Sequence, residues 1–120
     1  MIERIGKARR WSDAVAFNGV VFLSGHVAET TRGQSVLEQT RDVLAQIDET
    51  LAECGSSRDR LLSVTIYLAD IAGFDEMNAA WDAWVDSDNP PARTTVEARL
   101  ARADYAVEVT AVAARQEVMG

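Results

Sequence analysis

Pro90-Pro91-Ala92-Arg93-Thr94-Thr95-Val96-Glu97 is the stretch on which the reading of this chain turns. Two prolines close whatever precedes them, because proline lacks an amide donor and biases the residue before it towards extended geometry. From Ala92 to Leu100 the residues then alternate as a strand. Thr94, Val96, Ala98 and Leu100 make one face, and Arg93, Thr95, Glu97 and Arg99 make the other. The apolar set is expected to face the core, which turns Arg93 away from it. A guanidinium held on a strand can grip a carboxylate through two parallel hydrogen bonds. The competing reading is an ion pair at the sheet edge with Glu97, and spacing alone favours that one.

Working outward, Phe74 to Val85 shows helical spacing, with Phe74, Met77, Trp81, Trp84 and Val85 on one side and Asn78 at the border of that stripe. Leu61 to Ala69 alternates, with Leu62, Val64, Ile66 and Leu68 as the apolar face and Ser63, Thr65 and Tyr67 opposite. Ser35 and Glu38 carry the S-x-x-E signature of a helix start, in which each side chain satisfies the other's backbone amide. Val36, Val43, Leu44, Ile47 and Leu51 continue from it as one stripe, and Gly55 stops the helix. Cys54, in the last turn, is expected to pack as a small hydrophobe.

Nearer the N-terminus, Ala14–Phe17 and Val20–His26 flank Asn18-Gly19, the residues of a tight hairpin turn, and Arg4–Lys7 forms a short strand ahead of them. In the second hairpin arm Phe22, Ser24 and His26 share the face opposite Val21, Leu23 and Gly25. His26 is read as a packing residue. The last strand, Tyr105 to Ala113, alternates Val107, Val109, Ala111 and Ala113 with Glu108, Thr110 and Val112.

Three strands, a helix, a strand, a helix and two strands predict one domain over residues 1–120. A sheet this small carries both helices on one face, giving a two-layer α+β sandwich on a mixed sheet. The opposite face would present Phe22, Ser24, Thr65, Tyr67, Thr95, Glu108 and Val112, a set short of the Lys and Glu of a solvated surface. A half-apolar open face implies a partner, here a second copy of the chain. Arg93 and Glu108 would then lie at a subunit boundary.

Composition narrows the function classes. The chain has 120 residues, 48% of them hydrophobic, and no run long enough for a membrane span or a signal peptide. Its net charge of −7 argues against a surface that tracks nucleic-acid phosphates. The lone lysine, Lys7, leaves little room for Schiff-base chemistry, and one histidine with one cysteine cannot build a usual zinc site. A single cysteine also fits a reducing compartment, so a cytoplasmic location is expected.

Placed in this order, the segments resemble the Rid family, the YjgF-like reactive-intermediate deaminases, over nearly the whole chain. The resemblance rests on Phe22-Leu23-Ser24-Gly25-His26, Cys54-Gly55, Val64 to Asp70, Phe74 to Asn78, Val107-Glu108-Val109 and above all Pro91-Ala92-Arg93-Thr94-Thr95-Val96-Glu97. It implies a chorismate-mutase-like homotrimer with clefts between subunits. It also implies hydrolysis of enamines and imines such as 2-aminoacrylate to 2-keto acids and ammonia, without metal or organic cofactor. By the same resemblance Arg93 falls on the carboxylate-binding arginine and Glu108 on the glutamate that positions water. Ser24 and Gly25 match the cleft lining, and Asn78 matches a family asparagine. Two positions depart from the pattern: Trp11 stands where the family has a tyrosine, and Thr95 where a cysteine is common.

On that reading Arg93 fixes the substrate carboxylate, Glu108 handles the attacking water, and backbone groups at Gly25 stabilise developing charge. Trp11, Ser24, Asn78 and Thr95 complete the expected substrate-binding set. An ion pair of Glu108 with Arg93 or Arg99 is the structural alternative. Two functional alternatives stand beside the deaminase: a module that binds keto acids or amino acids without catalysis, and a hydrolase dedicated to another pathway substrate.

Overall fold

The structure is a computed structural model, and it describes residues 1–116. In chain order the elements are β1 (Glu3–Lys7), β2 (Ser12–Phe17), β3 (Val20–Val27), α1 (Val36–Glu53), β4 (Leu61–Leu68), α2 (Phe74–Trp84), β5 (Ala92–Glu97) and β6 (Val107–Ala114). The six strands form one sheet in the order β1-β2-β3-β6-β4-β5. All neighbours are antiparallel except β4 and β5, which run parallel because α2 carries the chain back between them.

Both helices lie on one face, giving the two-layer α+β sandwich expected from the order of elements. The core between the layers is built from Val43, Leu44, Ile47 and Leu51 of α1 against Val64, Ile66, Val109 and Ala111 of the central strands. Met77 and Trp81 add α2 to it, and Cys54 is fully buried in it. Burial pushes the Cys54 thiol up, as an apolar setting disfavours the thiolate. No helix among the described residues is long and apolar enough to cross a membrane.

Local chemistry explains most of the boundaries. Asn18 and Gly19 both take positive φ, 52° and 78°, and make the β2–β3 turn. Ser35 caps α1 by accepting a hydrogen bond from the Glu38 amide at 3.1 Å. Only this half of the expected capping box is found, since the Glu38 carboxylate turns instead to Arg41. Two β-bulges then shift the strand phase. One lies between Leu61 and Ser63, so Leu61 is buried and Leu62 is 48% exposed, the reverse of the expected face. The other lies between Leu23 and His26, and it moves His26 onto the helix side opposite Val109.

The edge strand β5 is also inverted relative to expectation. Its register sets Arg93 beside Val64 and Thr95 beside Ile66, two residues whose side chains are buried under the helices. Arg93 and Thr95 therefore face the helix layer, while Val96 is 39% exposed on the open face. The strand also ends at Glu97, short of Leu100. Parallel pairing to β4 fixes this phase, so that the more apolar side of β5, Ala92, Thr94 and Val96, is the one left outside the helix layer.

Candidate functional site

Arg93 leaves the sheet edge towards α2. Its Nη1 donates to Asn78 Oδ1 at 2.7 Å. Phe74, Asn78 and Trp81 are spaced i, i+4 and i+7 and so share one stripe of that helix. The guanidinium carbon lies 5.2 Å from the Trp81 ring centre and 5.9 Å from that of Phe74, within cation–π range. Glu97 is not its partner, because the Glu97 carboxylate accepts from the Ile71 amide at 3.0 Å. The sheet-edge ion pair is thus absent among the described residues. Thr95, on the same face of β5, has a buried hydroxyl oxygen with no hydrogen-bond partner among the described residues.

A second cluster forms at the β3 bulge. Ser24 Oγ donates to the carbonyls of Ser12 and Asp13 at 2.8 and 3.1 Å, tying the bulge to the corner that carries Trp11. His26 Nδ1 lies 2.7 Å from the Ser24 carbonyl, which only accepts, so the hydrogen sits on Nδ1. Its Nε2 then meets Thr50 Oγ1 of α1 at 3.0 Å. The expected packing role of His26 is served by these two bonds. Glu108 packs directly on the Gly25 backbone, where a β-carbon would overlap Glu108 Oε2 and lie 3.0 Å from Glu108 Cδ and so displace the carboxylate. Glu108 stands on the open face between Val27 and Tyr67, half-buried, and no hydrogen bond reaches its carboxylate among the described residues.

Trp11, Ser24, Gly25 and His26 line a cleft of about 360 Å³ between β3 and α1. Tyr105 and Arg32 form its far wall, with the Arg32 guanidinium carbon 5.7 Å from the Tyr105 ring centre. That wall is anchored by Gln39, a buried amide that donates to the Gln34 and Asp104 carbonyls and accepts from the Ala106 amide. The adjoining loop is held by Asp42, which accepts from the amides of Glu29 and Thr30 at 2.9 and 3.1 Å and from Thr31 Oγ1 at 2.8 Å. Burial by itself would raise the Asp42 carboxyl, but hydrogen bonds from Gln46, Thr31, Thr30 and Glu29 outweigh it and hold it below the usual range.

The chain therefore brings Trp11, Ser24 and Gly25 to one cleft, sets Glu108 against Gly25 without placing it in that cleft's lining, and separately joins Arg93 to Asn78 with Thr95 beside them. It does not unite the two groups. Arg93 and Glu108 lie on opposite faces of the sheet with β4 between them, which removes their ion pair within one chain, and no Glu108–Arg99 pair is found among the described residues. The grip of Phe74 and Trp81 on Arg93 was hidden in the sequence, where both read as core. Asn78 at the border of their stripe was the available signal, since an amide among aromatics needs a polar partner.

Residues 1–115 match the family described as endoribonuclease L-PSP. The chain is 40% identical to a RutC family protein of Haemophilus ducreyi over 95% of this chain and 97% of that protein. It is 44% identical to the RutC family protein YoaB of Escherichia coli over 94% and 97% of the two. Among solved structures it resembles a member of the YjgF protein family from Neisseria meningitidis, with a TM-score of 0.95 and 47% identity over 98% of each chain.

Proposed function

The chain belongs to the RutC/YjgF family, the Rid proteins, and from that membership we propose that it hydrolyses imines and enamines that carry a neighbouring carboxylate, releasing ammonia and a 2-keto acid. The observation that carries this reading is the pairing of chemistries on one chain. Among the described residues a guanidinium stands without a carboxylate partner, and a carboxylate without any hydrogen bond is packed against a glycine bulge.

Arg93 binds the substrate carboxylate through its planar fork and so fixes the imine carbon. Glu108 accepts a proton from water as the water oxygen bonds to that carbon and the C=N electron pair moves to nitrogen, and it returns that proton to the nitrogen to give the carbinolamine. Glu108 then takes the carbinolamine's hydroxyl proton as the C=O forms and the C–N bond breaks, and it passes this proton to the departing nitrogen, which leaves as ammonia. An enamine enters after protonation at its terminal carbon. Trp11 in place of a phenol and Thr95 in place of a thiol shape the pocket around the substrate's side chain.

Because Arg93 and Glu108 occupy different strands and opposite faces, the reading includes a homotrimer in which Arg93 of one copy meets the Glu108 face of its neighbour. Phe22, 48% exposed, and Val96, 39% exposed, lie on the face such an assembly would cover. The substrate is a small carboxylate and not a nucleic acid, in keeping with the net charge of −7. The setting is the cytoplasm.

The test is ammonia release from imines generated in situ by an amino-acid oxidase, with sedimentation equilibrium on the same sample. Accelerated release from a trimer is expected. A protein that binds pyruvate yet leaves the hydrolysis rate at its uncatalysed value would be a binding module and not a deaminase.

A further inference from the structure

Among the described residues two arginines stack on α2 tryptophans, and only one of the two has a carboxylate partner there. Arg58 lies 5.1 Å from the centre of the Trp84 ring and pairs with the Asp48 carboxylate at 2.7 Å. Arg93 lies 5.2 Å from Trp81, and its polar partner is the Asn78 amide. The ion pairs found among the described residues are Arg41–Glu38, Arg58–Asp48 and Arg115–Glu3, so no carboxylate cancels Arg93.

We propose that Asn78, Phe74 and Trp81 are positioning residues that hold the Arg93 fork in place while leaving its positive charge uncompensated for an anionic, planar carboxylate. The inference rests on the carboxylate-binding role given to Arg93 above and adds how that role is built. An amide oxygen accepts one of the guanidinium's several N–H groups and carries no net charge. Ring faces attract the cation through their quadrupoles and use none of its hydrogen-bonding groups. A carboxylate at position 78 would instead form the internal fork–fork pair that the ligand needs. Asn78 thus acts through Arg93 and does not itself contact substrate.

The experiment compares wild type, Asn78→Asp and Phe74→Leu by calorimetric titration with pyruvate, steady-state imine hydrolysis and thermal melting. Asn78→Asp is expected to keep or raise the melting temperature while weakening pyruvate binding about tenfold or more, with KM rising and kcat changing far less. Phe74→Leu keeps bulk but removes the ring, and is expected to raise KM about threefold. Asn78→Asp that binds pyruvate like wild type overturns the inference and leaves the deaminase reading intact. Should that variant not fold, an unchanged KM in Phe74→Leu overturns it. Wild type that binds pyruvate without hydrolysing imines removes the deaminase reading and leaves this inference standing, whereas wild type that binds no pyruvate removes both.

Discussion

On β5 the charge of Arg93 meets two rings and an amide from its own chain, whereas on β6 the carboxylate of Glu108 meets little more than the bare Cα of Gly25. The first region is complete within one subunit. Its side chain is oriented from the helix layer, and its exposed end is what remains to be used. The second is a prepared gap, in which a bulge and a glycine make room for a carboxylate that receives no hydrogen bond from the described residues. A carboxylate half-withdrawn from water without a donor is unfavourable unless something else approaches it. The contrast teaches that the guanidinium and the carboxylate are built on opposite faces of the sheet, so the proposed deaminase needs a second copy of the chain to bring them together.

The sharpest way to break this comparison is Glu108→Gln. If Glu108 handles the proton of the attacking water, the variant should lose about a hundredfold or more in kcat while still binding pyruvate. Stopped assays and calorimetry on one preparation read both quantities. Full activity in this variant would take Glu108 out of the chemistry.

Arg93→Ala attacks the other region, and its effect belongs in binding. Loss of a charge-assisted contact predicts pyruvate affinity lower by about tenfold or more, with Arg93→Lys retaining a remnant because ammonium offers no planar fork. Circular dichroism should report a folded protein, since Arg93 is a half-buried edge residue outside the core cluster. Unimpaired binding by a folded Arg93→Ala protein would move the site elsewhere.

Mixing the two variants sharpens the picture further. If each site takes Arg93 from one copy and Glu108 from the next, equal amounts of Arg93→Ala and Glu108→Gln chains refolded together should regain about a quarter of the wild-type sites. No recovery, despite mixed trimers seen by native mass spectrometry, would mean that both residues of a site come from one chain.

The smallest effect is expected at Asp42, which supports the cleft wall without entering either region. Its folded carboxyl is held below the ordinary value, so its contribution is present above the unfolded pKa and disappears as pH falls through the folded one. Stability should therefore drop on acidification below about pH 4, and Asp42→Asn should flatten that acid limb. At neutral pH the substitution should cost about 1 kcal/mol, a figure reduced for solvent screening of a partly exposed group. Urea melts across the acid range would show it, and an acid limb identical to wild type would remove Asp42 as its source.

Much of the architecture was legible from spacing. The Asn18-Gly19 turn, the Ser35 cap, the α1 stripe and the alternation of β6 all reflect interactions between residues close in the chain, where backbone geometry and burial impose a fixed period. The family was legible in the Pro91 to Glu97 segment and its companions. What spacing could not show was phase wherever the period is interrupted. At Leu61–Ser63 and Leu23–His26 a bulge moves every later side chain to the other face, and only pairing with a neighbouring strand reveals it.

By itself, then, the sequence determined which segments are helix or strand, that two helices cover one face of a mixed sheet, and which residues are the candidates for its chemistry. Tertiary structure alone decided where that chemistry points. Arg93 was expected on the open face beside Glu108 and stands on the helix side, because parallel pairing to Val64 sets its direction and Asn78, Phe74 and Trp81 receive it. The physical reason is that a six-residue edge strand whose more apolar face holds only Ala92, Thr94 and Val96 has no strong burial preference of its own. Its orientation is settled by register with a distant strand and by the helix packed above it, and neither is encoded in the local alternation of residues.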